Sequence, residues 1–194
     1  MFILYAIPIG ILAGYLLRGR LDRLGDIRFH WGWLAIAGLA VQVILFSEPV
    51  AAVVGDAGPI LYVASTAAVL VAVVRNLRIP GLALVALGAA CNLVAIAANG
   101  GVMPASPEAV AALGSEAGPG FSNSVVMPDP VLRPLTDIFA LPTWVPFANV
   151  FSVGDVLIGV GVATVIALGM RGGARAGTSP STPEAVAAVD SPAD

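Results

Sequence analysis

Long apolar runs separated by short polar breaks set the pattern of this chain. Five runs predict helices over about 2–17, 31–49, 59–74, 80–98 and 152–170. Several are close to the roughly 17 residues that a helix needs to cross a bilayer. The breaks between them carry arginine. The chain has nine basic residues, all Arg, and eight lie in three clusters: Arg18, Arg20, Arg23 and Arg28; Arg75 and Arg78; Arg171 and Arg175. Membrane proteins keep Lys and Arg on the cytoplasmic side. All three clusters share one side only if the chain crosses five times, with its N-terminus outside and its C-terminus cytoplasmic. Trp31, Trp33 and His30 beside the first cluster read as an interfacial belt. The first run has no basic start and ends in Arg18 without a cleavage-type sequence, so it reads as a retained helix.

Two segments break the pattern. The stretch 99–149 is the only long connection, falls outside, and holds eight of the fifteen prolines. Loops of this length are usually functional or disordered. Its apolar residues Phe121, Val125, Val126, Phe139, Leu141 and Trp144 favour an ordered cap on the outer membrane surface. Within it, Ser106-Pro107-Glu108-Ala109 has the form of a helix start, with Ser as N-cap and Pro in the first position. Thr182-Pro183-Glu184-Ala185 nearly repeats it, and Val102-Met103-Pro104 is echoed by Val126-Met127-Pro128; neither repeat has an assigned role. Asn99-Gly100-Gly101 closes the fourth helix as a left-handed cap. The tail 171–194 is rich in Gly, Ala, Ser, Thr and Pro and is expected to be a disordered cytoplasmic tail. The domain organisation is therefore one membrane domain, 1–170, plus that tail.

Composition removes whole classes of function. Mean hydropathy is +0.95 and charged residues are 11%, against about 25% in soluble domains. A single cysteine, Cys91, and a single histidine, His30, leave no disulfide framework, thiolate metal site or Ser-His triad. No cofactor or metal is expected, and no basic patch suits nucleic acid. The partners expected are membrane lipids and a membrane-anchored protein or peptide substrate. The place expected is the cell membrane, as a multi-pass protein.

The outer acids are Glu48, Asp56, Glu108, Glu116, Asp129, Asp137 and Asp155. Asp155 opens the fifth helix, where a carboxylate caps orphan N–H groups or forms a site. Asp137 lies in the apolar stretch Leu135-Thr136-Asp137-Ile138-Phe139. Two carboxylates at a partly dry interface cannot both ionise cheaply; one holds a proton and the other stays anionic. That is the basis of aspartic peptidase chemistry, so Asp137 and Asp155 are the candidate catalytic pair. Asn92, Asn99, Asn149 and Ser152 are the candidate supporting residues. Asn92 serves as an interhelical hydrogen-bonding amide or as a positioner of a carboxylate.

Phe151-Ser152-Val153-Gly154-Asp155-Val156-Leu157-Ile158 resembles the start of the last helix of lipoprotein signal peptidases. There the Asp is one of two catalytic aspartates. Asp137-Ile138-Phe139 and Cys91-Asn92-Leu93 are similar to two further segments of that family. The resemblance implies a pair of catalytic aspartates at the outer face. Val94-Ala95-Ile96 departs from that family's Ile-Asp-Arg, Ser152 replaces an Asn, and five helices stand against four. Over its full length the chain resembles a bacterial family of polytopic membrane proteins of unknown function. Asn99-Gly100-Gly101-Val102-Met103-Pro104 and Phe151-Ser152-Val153-Gly154-Asp155 carry that likeness.

The expected fold is an all-α integral membrane bundle of five helices with an external cap, 99–149, before the last one. The expected function is an aspartate-pair site at the outer interface, as in an aspartic-type membrane peptidase or hydrolase. The alternative is a non-catalytic protein whose cap binds a partner or lipid. A transporter is the weaker third reading, because the first three helices offer only Gln42 as a buried polar group.

Overall fold

The computed structural model describes residues 2–114 and 124–172. A turn of 3-10 helix, Phe2–Tyr5, leads into α1 (Ala6–Leu16), followed by a second 3-10 stretch, Leu21–Asp26. Then come α2 (Gly32–Leu45), the single turn α3 (Glu48–Ala51), α4 (Ala57–Val74) and α5 (Leu82–Ala98). The cap contains β1 (Met103–Ala105), α6 (Pro107–Ala112), β2 (Ser124–Val126), a 3-10 turn at Arg133–Leu135, β3 (Phe139–Ala140) and β4 (Val150–Phe151). Helix α7 (Val153–Met170) follows directly. The molecule is mostly helical. Helices α4 and α7, 18 residues each with mean hydropathy 2.1, are long and apolar enough to cross a membrane; the other apolar helices are shorter.

Prolines and glycines correct the expected boundaries. The second helix ends at Leu45 and not at 49. Continuing through Pro49 would lose an N–H donor and clash with the carbonyl four residues back. The chain instead turns extended at Ser47, whose hydroxyl bonds the Ile44 carbonyl at 2.6 Å, and restarts as α3. The fourth helix starts at Leu82, so Pro80 lies before it and not in its first turn. Gly81 makes that entry with φ +95, against α7: a Cβ there would sit 2.8 Å from the Val165 nitrogen.

Helix α7, last among the described residues, packs against both α1 and α5; α5 packs on α4, and α4 on α2. One buried cluster joins Val73, Leu82 and Val85 to Ile158, Val162 and Val165 between α4, α5 and α7. The other joins Leu45, Tyr62, Ala95 and Ile96 to Met103 and Leu135 of the cap, with Phe46 set edge-on to Tyr62 at 5.0 Å. Gln42, expected as the buried polar group of the first three apolar helices, is only half-buried and bonds Thr66 at 3.2 Å, while Ser65 of α4 is buried.

The helix ends sort into two groups. Seven of the clustered arginines, from Arg18 to Arg171, lie at one end, where the Arg20 N–H bonds the Met170 carbonyl at 2.8 Å and the Arg23 guanidinium donates to the Arg171 carbonyl at 3.0 Å. Buried Asn76 fastens this end. It accepts the His30 N–H and donates to the His30 and Ala72 carbonyls, each at 2.7 Å. At the opposite end Asn99 does the same for the cap. It donates to the Ala95 and Val131 carbonyls at 2.8 and 2.9 Å and accepts the Val131 N–H at 2.8 Å. The left-handed residues after α5 are Gly100 and Gly101, while Asn99 itself has φ −115.

The described parts of the cap are ordered but not all-α. Strand β1 pairs parallel with β2, and β3 pairs antiparallel with β4. The echoed Val-Met-Pro segments run through these neighbouring strands out of register: Met103 lies opposite Ser124, not Met127. Helix α6 starts as its residues predict, with the Ser106 hydroxyl accepting the Ala109 N–H at 3.0 Å. Glu116, Phe121, the Thr182–Ala185 repeat and the expected disordered tail beyond Gly172 lie outside the described residues.

Candidate functional site at the junction of cap and last helix

Helix α7 begins at a capping box. The Ser152 hydroxyl accepts the Asp155 N–H and the Asp155 carboxylate accepts the Ser152 N–H, both at 3.0 Å. Two orphan donors of the first turn are thereby satisfied. The pair then reaches across to α5. Asn92 donates from Nδ2 to Asp155 Oδ1 at 2.9 Å, and Asn92 Oδ1 accepts the Ser152 hydroxyl at 2.9 Å. Three of the six expected site residues thus form one closed ring of hydrogen bonds. Ser152 is fully buried, while Asn92 and Asp155 are half-buried. The two readings of Asn92 coincide: it is an interhelical bond whose acceptor is the carboxylate.

The ring depends on bare backbone. Gly154 and Gly88 face each other across the α5–α7 seam, and a Cβ on Gly154 would lie 2.7 Å from Asn92 Cγ and 2.8 Å from the Gly88 carbonyl. Helix α7 can approach Asn92 closely because that face carries no side chain.

Asp137 reaches the same junction from the cap. Its backbone lies along β1, with its N–H on the Pro104 carbonyl at 2.9 Å and its carbonyl taking the Ser106 N–H at 3.0 Å. Its side chain is only 4% exposed. Oδ2 accepts the Ser124 hydroxyl at 2.7 Å; Oδ1 is buried with no partner among the described residues. Burial pushes the Asp137 carboxyl up to about 7, the Ser124 bond opposes the rise, and the nearby Asp155 charge adds to it. The two acids sense each other electrostatically, and no hydrogen bond joins them among the described residues.

The other two expected site residues stand apart from the ring. Asn99 is the staple between α5 and Val131 described above. Asn149 closes the β3–β4 connection: its carbonyl accepts the Leu141 N–H at 3.0 Å, its Nδ2 donates to the Val150 carbonyl at 2.6 Å, and its Oδ1 is buried without a partner among the described residues. Sequence reasoning missed Ser124, the donor to Asp137. A serine in a short apolar strand carries no spacing signal, and only strand pairing brings it there. It also missed Asn76, whose position just after an apolar run beside Arg75 was the available signal.

Beside Asp137, a shallow cleft of about 510 Å³ is lined by Ser106, Glu108, Arg133, Pro134 and Ile138. Glu108 and Arg133 approach to 4.0 Å there, both mostly exposed, so their attraction is weak. Hydrogen bonds from the Glu108 backbone and from Ser106 hold the Glu108 carboxyl below its usual range. Among the described residues no group of three or more His, Cys, Asp or Glu could hold a metal ion. What the junction offers chemically is one buried carboxyl whose hold on its proton is strengthened by burial, and a second carboxylate held in a fixed orientation.

A family model described as a family of unknown function (DUF5317) matches residues 26–167, which include the ring, the cap and the α5–α7 seam. No curated protein and no solved structure matches the chain. None of these findings supports the local resemblance to lipoprotein signal peptidases. With the match covering most of its length, the chain belongs to DUF5317, a family of unknown function.

Proposed function

We propose that this chain is a multi-pass protein of the cell membrane. All five apolar helices cross the bilayer, the arginine end is cytoplasmic and the cap end is outside. The clustering of arginine at one end supports that orientation. Burial supports the membrane setting: only 28% of the α4 window and 33% of the α7 window are buried inside the protein. A core helix of a soluble protein would be covered.

The function that best fits the geometry is aspartic-type hydrolysis at the outer interface, on a membrane-held peptide. The observation that carries it is the inequality of the two acids. Asp137 is buried, its Oδ1 has no partner among the described residues, and burial pushes its carboxyl up to about 7, so a large share of it holds a proton at neutral pH. Asp155 is oriented by Asn92 and the Ser152 N–H. An ionised carboxylate has about four acceptor sites, so two hydrogen bonds leave room for a water. Asp155 acts as general base on that water, and Asp137 gives its proton to the leaving amide nitrogen.

The test is cleavage of a prolipoprotein in membranes by wild type, Asp137→Asn and Asp155→Asn, followed by gel shift. Loss in both folded variants supports the pair. Cleavage that survives either substitution ends the mechanism.

A second reading is favoured by the commitment of Asp155 to its capping box. Here the acids are structural and the cap binds a partner or lipid. It predicts that both Asp→Asn variants keep binding, and that wild type cleaves nothing.

A further inference from the structure

The two acids are joined by the β3–β4 hairpin. Strand β3 begins two residues after Asp137, and β4 ends one residue before Ser152. From residue 138 to residue 154 the chain carries no charged side chain. Aromatic stacking and a backbone bond hold the base of the hairpin together. Phe139 stacks on Phe151 at 5.5 Å, Phe151 stacks on Phe2 at 4.4 Å, and the Leu141 N–H bonds the Asn149 carbonyl at 3.0 Å. The tip turns on itself through Val145 N–H to the Pro142 carbonyl at 2.9 Å and Ala148 N–H to the Val145 carbonyl at 3.2 Å. The Tyr5 hydroxyl donates to the Pro146 carbonyl, tying the tip to the start of α1. Ile3, Leu4, Ile7 and Ile9 are exposed there. At the tip Trp144 is 83% exposed.

An exposed tryptophan on an uncharged turn is costly in water. It is favourable at the headgroup level of a bilayer. The apolar surface of α1 runs up to this turn, so a membrane around α1 meets it without a gap. We propose that the β3–β4 hairpin is a lipid anchor whose tip enters the outer-leaflet interface through Trp144. The occupant of this face is the phospholipid bilayer itself. Because both strands of the anchor run into the acid pair, insertion holds Asp137 and Asp155 at the depth of a membrane-held substrate. This rests on the membrane reading above and is independent of whether the acids are catalytic.

The test uses tryptophan fluorescence of the full chain in vesicles of a phosphatidylcholine and phosphatidylglycerol mixture, with and without brominated acyl chains. The variant Trp31→Phe/Trp33→Phe leaves Trp144 as the only reporter. Expected are a blue-shifted emission, loss of that emission with brominated lipid, and little quenching by aqueous acrylamide. Red emission quenched by acrylamide and not by brominated lipid would overturn the anchor. The variant Trp144→Phe keeps Trp31 and Trp33 at the other end and reports on the bundle. Lipid quenching of those two but not of Trp144 removes the anchor alone; quenching of neither removes the membrane reading as well. If the double variant does not fold, Thr143→Cys in a Cys91→Ala background, labelled with an environment-sensitive dye, must report an apolar setting in vesicles; an aqueous signal overturns the proposal.

Discussion

Asn92 holds Asp155 from across the seam between α5 and α7, with Nδ2 donating to Oδ1 at 2.9 Å, while its own Oδ1 takes the Ser152 hydroxyl. One amide therefore orients the carboxylate and seals the start of the last helix. Removing it leaves buried Ser152 and half-buried Asp155 each with one partner fewer. Asn92→Leu should cost about 1–3 kcal/mol. Ser152→Ala should cost about 0.5–2 kcal/mol as a lost cap. The double variant should cost less than the sum, because the two share one ring. Denaturation of the four proteins in detergent checks this, and simple additivity would show that the ring is not a unit.

The Asp137 carboxyl, raised to about 7 in the folded protein, makes stability depend on pH. The unfolded value is about 3.9. Between the two, the folded state binds more protons than the unfolded state, so stability falls as pH rises. The contribution is fully present below about pH 4 and lost by the time pH passes the folded value, with a total of a few kcal/mol. Asp137→Asn should flatten this slope and be the more stable protein above pH 7. Melting curves from pH 4 to pH 8 read it directly, and equal slopes in the two proteins would contradict it.

Gly154→Ala should be worse than an ordinary helix substitution. Its methyl would press on Asn92 Cγ and on the Gly88 carbonyl. Overpacking of this kind costs about 1–3 kcal/mol, and here it also displaces Asn92 from Asp155. Gly25→Ala, where nothing lies within 4 Å, is the matched control. Similar melting temperatures for the two variants would refute the close approach of α5 and α7.

Asn99→Ala should loosen the cap and spare the helices. It removes the paired bonds to Val131 and the bond to the Ala95 carbonyl. Limited proteolysis should then cut within 124–140 faster, with helical content unchanged. Unaltered cleavage would mean that buried Met103 and partly buried Leu135, packed against the helix ends, suffice to dock the cap.

The five apolar helices and the arginine end were legible because hydrophobic runs and charge placement are local properties of the chain. The start of α6 was legible for the same reason, since Ser106, Pro107 and Glu108 act on their own first turn. The cap strands were not. At two or three residues each they show no alternation, and β1 meets β2 only through long-range pairing. The ends of α2 and the start of α5 were misread because Pro49 and Gly81 act through backbone geometry that residue type alone leaves open.

The sequence by itself determined that the protein is mostly helical, since its long apolar runs are a local property of the chain. It also placed Asp155 at a helix start, where capping is a matter of three residues. Tertiary structure alone decided that Asn92 closes on that cap and that Ser124 and Asp137 meet. It likewise decided that Asp137 is buried deeply enough for its carboxyl to be pushed up to about 7. Those outcomes depend on desolvation and on contacts between residues 13 to 63 positions apart, which no local pattern encodes.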